Sequence, residues 1–130
     1  RNIGDEYDNN FSKRENRIKK AIAEGRIEKR TSRSLVSILE EVNAPKIIDY
    51  FSLDIEGAEE IVLKNFPFEK YKFLALTIER PSYLINQILK KNNYIFVKNF
   101  KVDGFYIHDS IKNKVNLKFE QFYQIGKKSW

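Results

Sequence analysis

The chain has 130 residues, about the size of one domain, and its hydrophobic content of 42% excludes an intrinsically disordered chain. It has no cysteine, which excludes disulfides, thiolate zinc sites and cysteine nucleophiles, and its only histidine is His108. Chemistry must therefore depend on carboxylates, hydroxyls, Lys, Arg or a bound cofactor. No window approaches the ~20 uncharged apolar residues that span a bilayer, so we predict a cytoplasmic protein without a membrane span.

The formal net charge of +6 raises nucleic acid as a partner. The basic excess, however, lies in residues 1–46 and 110–130, whereas residues 47–109 are close to neutral. Lysines spread in this way are typical of a solvated surface. We therefore do not expect a nucleic-acid partner.

Residues 1–46 predict a charged helical lead-in and connector. The highly charged stretch from Phe11 to Glu24 predicts a solvent-facing helix, and a short strand over 26–30 follows it. The next apolar residues have the spacing of an amphipathic helix with Ser32 or Ser34 as N-cap; they are Leu35, Ile38, Leu39 and Val42. Because the chain contains no methionine, we expect it to be a piece of a longer protein.

Residues 47–130 alternate strands with helices. The predicted elements, in chain order, are a strand over 47–53, a helix from near Gly57 to Phe66, a strand over 73–78, a helix over 83–91, and strands over 94–97 and 104–107. This β-α-β-α-β-β order predicts an α/β fold with parallel strands, an antiparallel edge hairpin and helices on the faces of the sheet.

Two details of burial follow from the same patterns. The mostly apolar run 47–53 predicts a strand that is buried on both faces. In the helix after Gly57, the spacing places Ile61 and its apolar neighbours toward the core, and it leaves Glu59, Glu60 and Lys64 in water.

Acidic side chains follow the first two strands of this region. Asp54 and Glu56 come directly after the first strand, and Glu79 ends the second. Because ligands bind at the carboxyl ends of parallel strands, the three carboxylates predict a site at one rim of the sheet. Such a group can hold a hard cation, accept a hydroxyl proton, or position the hydroxyls or ammonium of a cofactor.

Each of these residues also has a purely structural interpretation. Asp54 and Glu56 can cap the helix that follows them, and Glu79 can pair with Arg80. His108 is alone, which is typical of a surface or half-buried histidine. The sequence has no P-loop, no G-x-G-x-x-G and no serine elbow.

The segment Asp54-Ile55-Glu56-Gly57-Ala58-Glu59 resembles the D-x-E-G-x-E signature of the FkbM-type methyltransferases. Similar surroundings support this resemblance over about residues 31–109; they are Leu63-Lys64-Asn65-Phe66, Leu76-Thr77-Ile78-Glu79, Leu89-Lys90-Lys91-Asn92-Asn93-Tyr94 and Asp103-Gly104-Phe105-Tyr106-Ile107. The resemblance implies a Rossmann-like fold, of which this chain is the C-terminal half, so that 47–130 is one incomplete domain.

The resemblance also implies transfer of a methyl group from S-adenosylmethionine to a hydroxyl of a sugar or small metabolite. On this interpretation Asp54, Glu56 and Glu79 are catalytic, and Asp54 and Glu56 also contribute to cofactor binding. A divalent cation bridging Asp54 and Glu79 is an additional expectation. The chain departs from the family in having Arg80 and Pro81 after Glu79, and in lacking a glycine-rich loop within 1–46.

Two other functions stay open at the level of sequence. One is a non-catalytic α/β binding module or truncated relic, in which an exposed sheet edge pairs with a second copy of the chain. The other is a metal-dependent nuclease or phosphoesterase. Nucleases of the restriction type place a lysine two residues after the second acid, where this chain has Pro81.

Overall fold

The structure is a computed structural model that describes residues 3–27 and 31–126, with side chains from residue 12 onward. Between Arg33 and Ser34 the chain divides into two compact units. The predicted division into 1–46 and 47–130 stays a prediction.

The first unit contains one long helix. Helix α1 spans Ile3–Ala23, so the predicted helix exists and begins before Phe11. The chain then turns, and the N–H groups of Arg26 and Ile27 both donate to the carbonyl of Ala21. Of the predicted strand, residues 26 and 27 form a bend, and residues 28–30 lie outside the described residues.

The second unit contains the predicted strand and helix order. Its elements are α2 (Leu35–Glu41), β1 (Ile47–Leu53), α3 (Glu59–Lys64), β2 (Lys72–Glu79), α4 (Tyr83–Lys91), β3 (Tyr94–Phe100), β4 (Asp103–His108) and a final 3-10 helix (Asp109–Lys114). Serine hydroxyls accept backbone N–H groups at two helix starts, Ser34 for α2 and Ser82 for α4.

The four strands form one sheet in the order β1-β2-β4-β3. β1 and β2 are parallel, with Leu53 beside Ile78, and β4 runs antiparallel to both β2 and β3. The predicted α/β sheet with its antiparallel hairpin is confirmed. The carboxyl ends of β1 and β2 therefore lie at the same end of the sheet as the turn between β3 and β4.

The core lies where α3 and α4 pack on the sheet. Its centre consists of fully buried apolar side chains from the strands and from both helices, among them Phe73, Leu76, Ile78, Leu63, Leu89 and Tyr106. The hydroxyl of Tyr106 donates to Asn86 of α4 at 3.1 Å, so this buried phenol keeps a hydrogen-bond partner.

β1 differs from the sequence expectation. It forms an edge of the sheet, and Ile47 and Tyr50 are 54% and 57% exposed, so the prediction of a strand buried on both faces is wrong. The run of apolar residues was a correct indicator of a strand. It could not indicate the position of that strand in the sheet, which depends on pairing with residues far along the chain.

The inward face of α3 also differs from the expectation. Glu59 is buried and Ile61 is 67% exposed, so both were assigned to the wrong side of the helix. The helix begins only at Glu59, and its buried side is formed by Glu59 and Leu63, which are one turn apart. Lys64 is exposed as predicted, whereas Glu60 is half-buried.

The segment after the 3-10 helix covers the other edge of the sheet. The N–H of Glu120 donates to the carbonyl of Val97 at 2.8 Å, and the side chain of Asn99 donates to the carbonyl of Tyr123 at 2.9 Å. The ring of Phe122 packs against the edges of Phe96 and Tyr83. β3 is therefore a protected edge, in contrast to β1.

Candidate active site

The three predicted acids lie together at the carboxyl end of the parallel strands. Asp54 is the first residue after β1, and Glu79 is the last residue of β2. Each of Asp54, Glu56 and Glu79 offers a carboxylate oxygen, and these oxygens lie within 4.8 Å of one another. We call these three residues the acidic rim. Asp54 and Glu56 are exposed and Glu79 is half-buried, so the rim is open to a ligand.

The acidic rim perturbs one of its own members. The pKa of Glu79 is raised above its ordinary value, first because it shares a hydrogen bond with Asp54. Partial burial and the negative charges of Asp54 and Glu56 raise it further, and the positive charge of Arg80 offsets part of this effect. Glu79 therefore holds a proton more readily than a solvated glutamate does.

Two turns carry the acidic rim, and each contains a residue in the left-handed region. Glu56 has φ 56° and is followed by Gly57 at φ 104°, and Arg80, directly after Glu79, has φ 45°. This conformation is uncommon for a residue with a side chain and persists where neighbouring groups hold it. The backbone thus places the three carboxylates at some local cost.

The interpretation of Asp54 and Glu56 as caps of the following helix is wrong. The N-cap of α3 is Ala58, so neither Asp54 nor Glu56 occupies the capping position. The guanidinium of Arg80 donates to the carbonyl of Gly126 at 2.8 Å, which ties this side chain to the C-terminal segment.

Glu59 and Glu60, which the sequence predicts to be exposed, contact the turns of the acidic rim. The buried carboxylate of Glu59 accepts the backbone N–H of Ile55 at 2.9 Å. The carboxylate of Glu60 accepts the hydroxyl of Ser82 at 2.6 Å. In the sequence, Glu59 stands out only as the last glutamate of the D-x-E-G-x-E segment, and no motif points to Glu60. The charge of both side chains predicts exposure instead.

A row of hydroxyl groups lies next to the acidic rim. The oxygen of Tyr50 is 2.7 Å from Thr77 Oγ1, which donates to Ser52 Oγ at 3.2 Å. Ser52 and Thr77 are neighbours across β1 and β2, and each precedes a rim acid by two residues. In this hydroxyl row Tyr50 and Ser52 are exposed, and Thr77 is buried between β1 and β4.

The remaining polar candidates lie at the opposite end of the sheet. The ring of His108 accepts the N–H of Ser110 and contacts the edge of Tyr94. The pKa of His108 is lowered by burial and by the charge of Lys72. A cavity of about 270 Å³ near Lys46 is also at this end, far along the strands from the acidic rim. The contacts of His108 stabilise the start of the 3-10 helix, and neither this histidine nor the cavity adjoins the acidic rim.

Comparison with known proteins identifies the family. The model of the methyltransferase FkbM domain matches residues 3–96, which is more than half of the chain. The comparisons with curated proteins and with solved structures gave no match. Within the described residues, no helix has an apolar stretch long enough to cross a membrane. The chain belongs to the FkbM methyltransferase domain family.

Proposed function

We propose that this protein transfers a methyl group from S-adenosylmethionine to a hydroxyl of a sugar or small metabolite, with the acidic rim as the chain's contribution to the active site. The observation that carries the proposal is the convergence of three carboxylates at the carboxyl end of β1 and β2, in a member of a methyltransferase family. Ligands of open α/β sheets bind at this end of the strands.

The carboxylates suit the proton that such a reaction releases. A hydroxyl that gains a methyl group must lose its proton to a base within hydrogen-bond reach. We assign this role to Asp54, with Glu79 as its partner in holding the proton. The hydrogen bond with Asp54 raises the pKa of Glu79, so Glu79 accepts a proton more readily than a solvated carboxylate, which suits a partner in this role.

The acidic rim also fits the cofactor by charge. When bound, S-adenosylmethionine supplies an electrophilic methyl group on a positively charged sulfur. Asp54 and Glu56 are exposed acceptors with negative charge, and they would hold its cationic and hydroxyl groups. Alignment of the acceptor hydroxyl is then the main task of the remaining polar residues.

The hydroxyl row supports an acceptor that is rich in hydroxyl groups. Ser52 is exposed, and it lies beside Thr77 two residues before the acidic rim. Such groups can both donate and accept hydrogen bonds, which matches the hydroxyls of a sugar. The exposed ring of Tyr50 adds an apolar surface at the same row.

A divalent cation at Asp54 and Glu79 stays a prediction. The spacing of the oxygens permits a shared ligand, although exposed acidic groups are common without one. If the cation takes part, a chelator will lower the rate of methyl transfer and magnesium will restore it. A rate that a chelator leaves unchanged would remove the cation from the proposal.

A partner-binding module is the second candidate, and the exposed edge strand β1 favours it. An uncovered strand of this kind tends to pair with another chain. Light scattering over a range of concentrations tests this candidate: a concentration-dependent dimer supports it, and a monomer at high concentration contradicts it.

The experiment that tests the proposed function uses labelled S-adenosylmethionine and a panel of sugars and small hydroxylated metabolites. The protein is expressed from its full open reading frame, as wild type and as Asp54→Asn. We expect O-methylated product from the wild type, and loss of turnover in Asp54→Asn with a thermal midpoint within a few degrees of the wild type. Turnover retained by Asp54→Asn, or absent from the wild type over the whole panel, would contradict the proposal.

A further inference from the structure

The first turn of α3 contacts both turns that carry the acidic rim. Glu59 and Glu60 are the first two residues of this helix. The Glu59 side chain reaches back to the turn after β1, and the Glu60 side chain reaches across to the turn after β2. Two adjacent glutamates therefore connect two segments that are about 25 residues apart in the chain, as the separation of Asp54 from Glu79 shows.

The Glu59 contact lies at the centre of the first turn. Its carboxylate accepts the N–H of Ile55 at 2.9 Å, and Ile55 stands between Asp54 and Glu56. The side chain is only 6% exposed. A buried carboxylate is costly unless it is hydrogen-bonded, so its presence needs a reason other than packing.

The Glu60 contact acts on the second turn. Its carboxylate accepts the hydroxyl of Ser82 at 2.6 Å, and the same hydroxyl accepts the N–H of Ile85 at the start of α4. Ser82 is two residues after Arg80, which is in the left-handed region directly after Glu79. The contact thus fixes the segment that leaves the acidic rim.

We propose that Glu59 and Glu60 are positioning residues that hold the two rim turns at the spacing which brings Asp54, Glu56 and Glu79 together. The inference rests on the proposed function for its catalytic consequence, whereas the restraint of the turns is a property of the chain alone. Each turn contains a left-handed residue, Glu56 or Arg80, and the segment of each turn donates one hydrogen bond to a carboxylate in the first turn of α3. A strained turn persists where its surroundings hold it, and these two contacts supply that support.

The first test removes the acceptor without removing the buried volume. In Glu59→Leu an apolar side chain of similar size fills the buried position, and the Ile55 N–H loses its acceptor. In Glu59→Gln a carbonyl oxygen remains for the Ile55 N–H. Glu69→Leu is the matched control, since this exposed glutamate precedes β2 at the opposite end of the sheet.

The readout is the hydrogen exchange rate of the Ile55 amide, measured by NMR in the whole protein. We expect Glu59→Leu to exchange at least about tenfold faster at Ile55, because a hydrogen bond to a charged group is lost. Glu59→Gln should remain close to the wild type, and Glu69→Leu should be unchanged. An Ile55 amide that exchanges at the wild-type rate in Glu59→Leu would overturn the inference.

The second readout is the kinetics of methyl transfer in the same variants. We expect Glu59→Leu and Glu60→Leu to lower kcat about tenfold with little change in KM, since the carboxylates of the acidic rim are displaced but still present. Glu59→Gln and Glu60→Gln should restore most of the rate. A purely structural role would instead give rates that follow the thermal midpoint, and rates of that kind would overturn the inference.

The two proposals can fail separately. If the wild type transfers no methyl group, the proposed function fails, and the Ile55 exchange rate still decides whether Glu59 holds its turn. If Glu59→Leu does not fold, Glu60→Leu is used with Glu60→Gln as its matched control, and the amide exchange of Ser82 and its neighbours is the readout. Exchange in that segment that is unchanged when the Glu60 contact is lost would overturn the inference.

Discussion

The two ends of the sheet hold their charged groups in opposite ways. At the end where β1 and β2 begin, Lys70 donates to Glu40, and this contact lowers the pKa of Glu40 below its ordinary value. At the end where the same strands finish, carboxylates gather, and the pKa of Glu79 is raised. Opposite charges in contact are common on protein surfaces that have no binding role. Like charges held together at a cost are typical of a functional site.

The largest effect that would sharpen this comparison is on the rate. In Glu79→Gln the carboxylate with the raised pKa is lost, so we expect methyl transfer to fall about a hundredfold. The rate of the wild type should fall as the pH drops through the raised pKa of Glu79, and this fall should be absent from Glu79→Gln, which has no carboxyl group at that position. A pH series of initial rates measures both effects.

The control for this prediction lies at the other end of the sheet. Glu40→Gln removes a carboxylate that is already paired, so the pH profile of the rate should match that of the wild type. An equal loss of rate in Glu40→Gln and Glu79→Gln would break the comparison between the two ends.

The next effect concerns the packing beneath the acidic rim. Gly104 of β4 lies against Pro81, and a Cβ atom at Gly104 would be 2.5 Å from the Pro81 ring. We expect Gly104→Ala to lower the free energy of unfolding by about 1–3 kcal/mol, the usual cost of overpacking. Urea unfolding measures the change. Gly126→Ala is the control, since a Cβ atom there would meet nothing within 4 Å, and an equal loss in both variants would contradict the packing argument.

The smallest effects are on thermal stability, and they have opposite signs at the two ends. Glu79 has a raised pKa in the folded protein, so its ionisation costs stability as the pH rises through that pKa. Glu79→Gln should therefore raise the thermal midpoint slightly at neutral pH. Glu40 has a lowered pKa and contributes stability above the ordinary carboxyl range, so Glu40→Gln should lower the midpoint slightly.

Both differences should disappear in acid. The Glu79 difference should disappear below the ordinary glutamate pKa of about 4.3, and the Glu40 difference only as the pH falls through the lowered pKa of that group. Differential scanning calorimetry from neutral to acid pH measures the two curves. Shifts of the same sign in the two variants would contradict the assignment of paired and gathered charges.

The order of elements and the acidic rim could be predicted from the sequence because both depend on local patterns. The apolar run Ile47–Leu53 matches β1, and parallel strands that end in Asp54 and Glu79 must bring these acids to one edge. The family could be predicted from the D-x-E-G-x-E segment, and the match to the FkbM domain confirms it.

The parts that could not be predicted depend on contacts between distant residues. The exposure of β1 follows from its place in the sheet, which no local pattern states. Helical spacing together with its charge predicts an exposed Glu59, since a glutamate is rarely buried. Its burial depends on the Ile55 N–H that it accepts, and that contact becomes visible only when the turn has its three-dimensional form.

The most direct test of the account is an NMR titration of the glutamate side-chain carboxyl groups in the whole protein. We expect a pKa of Glu79 above the ordinary glutamate value and a pKa of Glu40 below it. In Asp54→Asn the pKa of Glu79 should move back toward the ordinary value, while that of Glu40 stays the same. Ordinary values at both positions, or a Glu79 that does not respond to Asp54→Asn, would contradict the claim that the rim carboxylates act as one site.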